Sequence, residues 1–167
     1  LGGKGIEVYL SYDAARLYLA VAVPDETVIV DKLTSNFSQG DFVRFGLALN
    51  AEGTKASKSD EVPYVFTISP PTDFGQPLVA LETANKSQLT FDLRDVEVGG
   101  SVSKQGYAIE ASFPAKAFGL ARFRGGQRLR VNVLVQDTDG KKTRVSTLDG
   151  SGGWIERSRW PIVELSR

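Results

Sequence analysis

The sequence predicts an all-β domain: a two-sheet antiparallel β-sandwich of the jelly-roll or immunoglobulin-like kind. Apolar and polar residues alternate with a period of two along most of the chain, which is typical of strands with one buried face. Turn residues such as Pro70-Pro71, Gly99-Gly100 and Asp139-Gly140 separate these stretches. Many antiparallel strands with almost no helix favour a sandwich or a barrel.

The strands are expected in a definite order. Clear alternation covers residues 5–13, 16–25, 41–50, 63–69, 106–114 and 128–137, the segment 161–167 closes the chain, and weaker strands are expected near 77–82, 88–92 and 96–103. Apolar residues at every second position should face the core in the clear strands. These sets are Ile6, Val8 and Leu10; Leu17, Leu19, Val21 and Val23; Val43, Phe45, Leu47 and Leu49; Tyr64, Phe66 and Ile68; Tyr107, Ile109, Ala111 and Phe113; and Leu129, Val131, Val133 and Val135.

One short helical turn is predicted over 114–119. Pro114 suits the first position of a helix, and Gly119 suits the position just after its end. The polar, low-complexity segment 50–62 predicts a long exposed hairpin loop.

Length and composition predict one globular domain that spans residues 1–167. The chain has 167 residues with 41 % hydrophobic residues, and 20 basic residues balance 20 acidic ones. A balanced charge gives no reason to expect nucleic acid, and the local basic cluster Arg122–Arg130 is interpreted as a solvated loop and strand edge. No segment has the roughly 20 apolar residues of a membrane span.

Two tryptophans close to the C-terminus have different predicted roles. Trp154 lies in the loop "DGSGGWIERSRW", where glycines and charged residues provide little local packing. Trp154 is therefore expected either to fill a gap or to bind a ligand. Trp160 precedes Pro161 at the start of the last strand and is expected to cap the core.

Five segments, in this order, carry a family resemblance: "VYLSYDAARLYLAVAVPDE", "FSQGDFVRFGL", "GYAIEASFPAKAFGL", "GQRLRVNVLVQDTDGKKTR" and "GGWIERSRWPIVEL". Together they resemble carbohydrate-binding module family 9 over nearly the whole chain. The resemblance implies a non-catalytic β-sandwich that binds sugars, and the first strand of the family would precede Leu1.

The resemblance also implies a sugar site. In that family two aromatic walls sandwich a sugar ring, and Trp154 and Phe37 hold the corresponding positions. An aromatic face suits the apolar C–H face of a pyranose. Arg44 replaces the acid of the family, Arg144 matches an arginine of the family, and Ser151 replaces an asparagine.

A structural calcium site is a further expectation. Asp137 and Asp139 alternate in "QDTDG", and carboxylate oxygens suit a hard cation. An ordinary Asp-Gly hairpin turn is the alternative. Haem is not expected, because the chain has no Met and no His to act as axial ligands.

The expected function is that of a non-catalytic carbohydrate-binding module. No second acid is predicted close to Asp41 or Glu110, so acid–base catalysis is not expected. The expected partners are a glycan or polysaccharide and the other domains of a parent protein, which is exported or on the cell surface, in a bacterium. The alternative is a structural or protein-docking β-sandwich domain of a larger secreted assembly that has lost sugar binding.

Overall fold

The computed structural model describes residues 5–30, 39–49, 64–72, 75–82, 92–139, 142–148 and 160–166. Within them the predicted two-sheet antiparallel sandwich is confirmed. Its ten strands are β1 (Glu7–Tyr12), β2 (Arg16–Pro24), β3 (Phe42–Ala48), β4 (Tyr64–Ile68), β5 (Val79–Glu82), β6 (Glu97–Ser103), β7 (Gly106–Pro114), β8 (Arg128–Asp139), β9 (Lys142–Thr147) and β10 (Ile162–Glu164).

The strands form two sheets. The four-stranded sheet has the order β1-β2-β7-β6, and the six-stranded sheet has the order β10-β8-β3-β4-β5. Strand β9 also pairs with β8, beyond the part of β8 that pairs with β10. Every pair is antiparallel.

The core lies between the sheets, where the predicted apolar sets meet. On β2 the residues from Leu17 to Val23 alternate between buried and half-buried, as a strand with one buried face requires. Phe113 is the centre of an aromatic cluster, with ring centroids 5.1 Å from Phe45 and 4.6 Å from Phe66. Trp160 is 2 % exposed, in agreement with its predicted role in the core.

Short helical segments connect some of the strands. The predicted turn is a 3₁₀ helix over Ala115–Phe118, preceded by Pro114 and followed by Gly119 in the left-handed conformation (φ 69°). A second 3₁₀ helix, over Leu93–Asp95, is capped by the side chain of Asp92. No helix in the described part of the chain has the length and apolar character that crossing a membrane requires.

One strand was not predicted, and two predicted elements lie outside the described residues. Strand β9 falls in a segment for which the sequence predicted no strand, because its exposed residues show no apolar alternation. The predicted loop 50–62 lies outside the described residues. The predicted strand at 88–92 also lies outside them, except for residue 92.

Candidate functional site

The residues predicted for a ligand site fall into two groups. Trp154, Phe37 and Ser151 lie outside the described residues. Arg44 and Arg144 are described, and they belong to different clusters of side chains. Arg44 lies on the outer face of β3, whereas Arg144 lies on β9 beside Asp137 and Asp139.

Arg44 belongs to a polar triad on the outer face of the six-stranded sheet. Its Nη2 atom is 2.9 Å from Oε1 of Glu82, and its Nε donates to Oγ1 of Thr67 at 3.1 Å. The hydroxyl of Thr67 in turn donates to Glu82 at 2.9 Å. Three adjacent strands therefore supply a cation, a hydroxyl and a carboxylate that contact one another.

Packing beneath the triad orients the arginine. The guanidinium carbon of Arg44 lies 5.1 Å from the ring centroid of Phe42, a distance typical of a cation–π contact. Phe42 packs with Leu134 and Ala80 in a small apolar cluster. The side chains of Arg44 and Glu82 remain 21 % and 43 % exposed, so both can contact a ligand.

Glu82 is a residue that the sequence pattern did not identify. It is the last residue of a four-residue strand, and only the pairing of β4 with β5 brings it next to Arg44. The carboxylate that β3 lacks at position 44 is thus supplied by β5. A carboxylate accepts from hydroxyls and a guanidinium donates to them, so the pair can accept hydrogen bonds from a ligand and donate hydrogen bonds to it.

A second cluster contains the two predicted calcium ligands. Asp25, Asp137 and Asp139 each present a carboxylate oxygen within 4.8 Å of the others. Asp25 lies just after β2 and is 8 % exposed, and its Oδ1 accepts from the backbone N–H of Thr27 at 2.8 Å. Its Oδ2 and Oδ1 of Asp137 are buried without a hydrogen-bond partner. Buried carboxylate oxygens without partners are costly, and a cation would satisfy them.

Arg144 faces this aspartate cluster. Its guanidinium nitrogens lie 3.7 Å from Oδ2 of Asp137 and 3.6 Å from Oδ2 of Asp139. The register of β8 and β9 causes this contact, because Asp137 lies opposite Arg144. Arg144 is therefore placed to compensate two carboxylates, and its side chain is 71 % exposed.

Asp41 is a further carboxylate, close enough to Asp25 and Asp137 to be affected by their charges. It is fully buried, and its two oxygens accept from the backbone N–H groups of Ile29 at 2.5 Å and Thr138 at 2.7 Å. Burial, followed by the charges of Asp25 and Asp137, raises the pKa of Asp41 to about 7. Burial and the charge of Asp139 also raise the pKa of Asp137. Negative charge therefore accumulates here, and Arg144 compensates it only in part.

Among the comparisons with known proteins, only the comparison with solved structures finds matches. No family model matches the chain, and no curated protein matches it significantly. A family 9 carbohydrate-binding module from Caldicellulosiruptor kristjanssonii, solved in complex with glucose, is 18 % identical with a TM-score of 0.69. The match covers 99 % of this chain and 80 % of that one.

Two further solved structures are similar. A family 9 module from the same organism, in complex with cellotriose, is 17 % identical with a TM-score of 0.70, over 96 % of this chain and 74 % of that one. A candidate carbohydrate-binding protein from Bacteroides uniformis is 13 % identical with a TM-score of 0.59, over 85 % and 68 % of the two chains. The chain therefore has the β-sandwich fold of carbohydrate-binding module family 9.

Proposed function

We propose that this domain is a non-catalytic carbohydrate-binding module, which holds an exported or cell-surface protein against a glycan or polysaccharide. The observation that carries the proposal is the triad of Arg44, Thr67 and Glu82, in which Arg44 and Glu82 are partly exposed and Thr67 is buried. It lies on the outer face of a sandwich whose solved relatives include complexes with glucose and cellotriose. Such a triad can donate to some sugar hydroxyls and accept from others.

The aromatic residues of the proposed site are assigned from the sequence. Phe37 precedes β3 by five residues and Trp154 lies in the glycine-rich segment before β10. We propose that these two side chains stack on the sugar ring, with Arg44 and Ser151 as polar contacts, whereas Arg144 faces the aspartate cluster instead. Stacking on one ring contributes on the order of 1–3 kcal/mol, by analogy with the stacking of bases on aromatic side chains.

The test is a glycan array with neutral, amino and uronic oligosaccharides, with and without calcium, followed by calorimetry with the sugars that bind. Trp154→Ala should abolish binding with little change in melting temperature. Glu82→Gln should weaken binding about tenfold, equivalent to about 1.4 kcal/mol. Glu164→Gln, an exposed change on β10, is the matched control. Unchanged affinity in both Trp154→Ala and Glu82→Gln would contradict this site.

A structural or protein-docking domain is the second candidate function. In its favour, Arg44 and Glu82 already bond to each other and to Thr67, and Val65 offers no hydrogen bond at the neighbouring position. A sugar would have to displace part of this network. If no glycan on the array binds, this second function is supported.

We also propose that Asp25, Asp137 and Asp139 hold a calcium ion that stabilises the fold. Three carboxylates, one just after β2 and two at the end of β8, provide the oxygen donors that calcium prefers. The two buried oxygens without partners, one on Asp25 and one on Asp137, support this assignment. Such an ion would join the end of β2 to the end of β8.

Thermal unfolding of metal-free protein tests the calcium proposal. Calcium at 100 times its Kd should stabilise the fold by about 2.7 kcal/mol, or roughly 5–10 °C for a domain of this size. Arg144→Gln should lower the melting temperature without calcium and enlarge the calcium-induced rise, because it leaves the carboxylates uncompensated. Lys142→Gln, on the same strand, is the control. An unchanged melting curve on adding calcium to protein shown to be metal-free would refute the site.

A further inference from the structure

The outer face of the four-stranded sheet contains a cleft of about 520 Å³. Arg44, Asp137 and Asp139 all lie on the other sheet. The register places Tyr9, Ala20, Glu110 and Gly99 in one row across all four strands. With strands about 4.8 Å apart, this row is about 14 Å long.

Two tyrosines form one side of the cleft. Tyr9 is 61 % exposed, and its hydroxyl donates to Oε2 of Glu7 at 3.0 Å. Tyr18, on the neighbouring strand, donates to Oδ2 of Asp13 at 2.7 Å. Because each phenol is held by a carboxylate, the rings are oriented in advance while their faces remain available for stacking.

The floor of the cleft is made of small residues. Ala20 and Gly99 lie in the same row as Tyr9 and Glu110. A Cβ atom added at Gly99 would meet no atom within 4 Å, so the space above this glycine is open. A ring can therefore approach the sheet above Gly99, at the opposite end of the row from Tyr9.

Carboxylates form the other side. The side chain of Glu110 is exposed and has no hydrogen bond or ion pair with any described residue. Glu97, on the outermost strand, is 74 % exposed and lies 3.4 Å from Arg16, whose Nε also donates to Ser112 at 2.8 Å. Both glutamates can accept hydrogen bonds from hydroxyl groups.

We propose that this cleft is a second saccharide-binding site, which takes a segment of a neutral polysaccharide chain. Sugar rings stack on Tyr9 and Tyr18, and their hydroxyls donate to Glu110 and Glu97. The proposal depends on the proposed function only for the class of ligand, since it shares no residue with the first site.

The charges of the cleft favour this ligand over two others. Glu97 and Glu110 line the cleft, and Glu7 and Asp13 bond to its two tyrosines, whereas Arg16 is a cation that contacts Glu97. Such an excess of acids repels a uronic acid polymer. A basic protein segment would need several available carboxylates. Three of the four already have a partner, Glu7 and Asp13 in tyrosine hydroxyls and Glu97 in Arg16, which neutralises its charge but leaves lone pairs that sugar hydroxyls can bond to.

The experiment is a ¹⁵N-NMR titration of the whole chain with cellohexaose, xylohexaose, mannohexaose and laminarihexaose. At least one should shift the amides of Tyr9, Ala20, Gly99 and Glu110. Tyr9→Ala should weaken the binding measured at these amides about tenfold. Gly99→Val should abolish it by filling the open floor, and Glu110→Gln should weaken it severalfold. Val102→Ala, which removes another exposed apolar side chain from the same sheet, should leave it unchanged.

The location of the shifts separates this proposal from the first. Chemical-shift changes confined to the amides of residues 42–46, 65–67 and 80–82 would support the first site and overturn the second. Shifts confined to the cleft would support the second and count against the first. No shift with any hexasaccharide overturns the second site. An oligolysine peptide that binds the cleft when no hexasaccharide does would identify it instead as a docking site for a basic protein segment.

Discussion

If the domain binds sugar as proposed, the ion pair of Arg44 and Glu82 contributes more to binding than to folding. With side chains 21 % and 43 % exposed, the pair is partly solvated, and such pairs typically contribute no more than about 1 kcal/mol to stability. Each hydrogen bond from one of these charged groups to a hydroxyl of a bound sugar would contribute about 1.5–3 kcal/mol to binding. A substitution at Glu82 therefore tests ligand binding without disturbing the fold.

Gly106 is a residue on which the fold itself depends. Its φ is 135°, and an added Cβ would collide with the backbone carbonyl oxygen of Val23 and lie 2.7 Å from the backbone nitrogen of Asp25. Gly106→Ala should lower the free energy of unfolding by about 3 kcal/mol, and should weaken any calcium response because Asp25 is displaced. Gly99→Ala, where a Cβ meets nothing, should change stability by less than about 1 kcal/mol. Chemical denaturation measures both, and equal stabilities for the two variants would contradict this account.

Among the elements, β8 brings the core and the aspartate cluster together. Its apolar positions, such as Val133 and Val135, are buried in the core. Its pairing with β3 ends at Gln136, and from Asp137 to Asp139 it pairs with β9 alone. The two aspartates thus lie on a projecting end of the strand, where they approach Asp25 without disturbing the sheet.

The strands that the sequence predicts well are those with a buried face. Strand β8 shows clear alternation because it packs on the core, whereas β9 is exposed from Lys142 to Val145 and so lacks a hydrophobic pattern. The contact of Glu82 with Arg44 depends on the register of β4 and β5, which alternation alone does not determine. The aspartates at 137 and 139 were predictable from local sequence, while Asp25 joins them from a distant strand.

Over the whole molecule the formal net charge is zero, but acidic residues are concentrated in particular regions. The chain has 20 basic and 20 acidic residues, yet acids predominate in the cleft of the four-stranded sheet and in the aspartate cluster. If a saccharide binds each outer face, one domain can contact two glycan chains at once. Such a module would increase avidity without new contacts within either site.

Segregated charge also predicts how stability depends on pH. Asp41 has a pKa of about 7 in the folded protein, against an ordinary value of 3.8, because it is buried near Asp25 and Asp137. Between pH 4 and pH 7 the folded state therefore binds more protons than the unfolded state. Hence the free energy of unfolding should fall as pH rises through this interval and then level off, by at most about 1.4 kcal/mol per pH unit for this group.

Denaturation of metal-free protein at pH 5, 6, 7 and 8, in the presence of a chelator, measures this slope. No histidine titrates in this interval, because the chain contains none. Asp41→Asn has no titrating carboxyl at this position and should reduce the slope, whatever its absolute stability. Calcium should also reduce the slope in the unmodified chain, because a cation on Asp25 and Asp137 favours the ionised form of their neighbour. Metal-free protein that becomes more stable from pH 5 to pH 7 would show that Asp41 is ionised throughout and that its burial is fully compensated by the backbone N–H groups of Ile29 and Thr138.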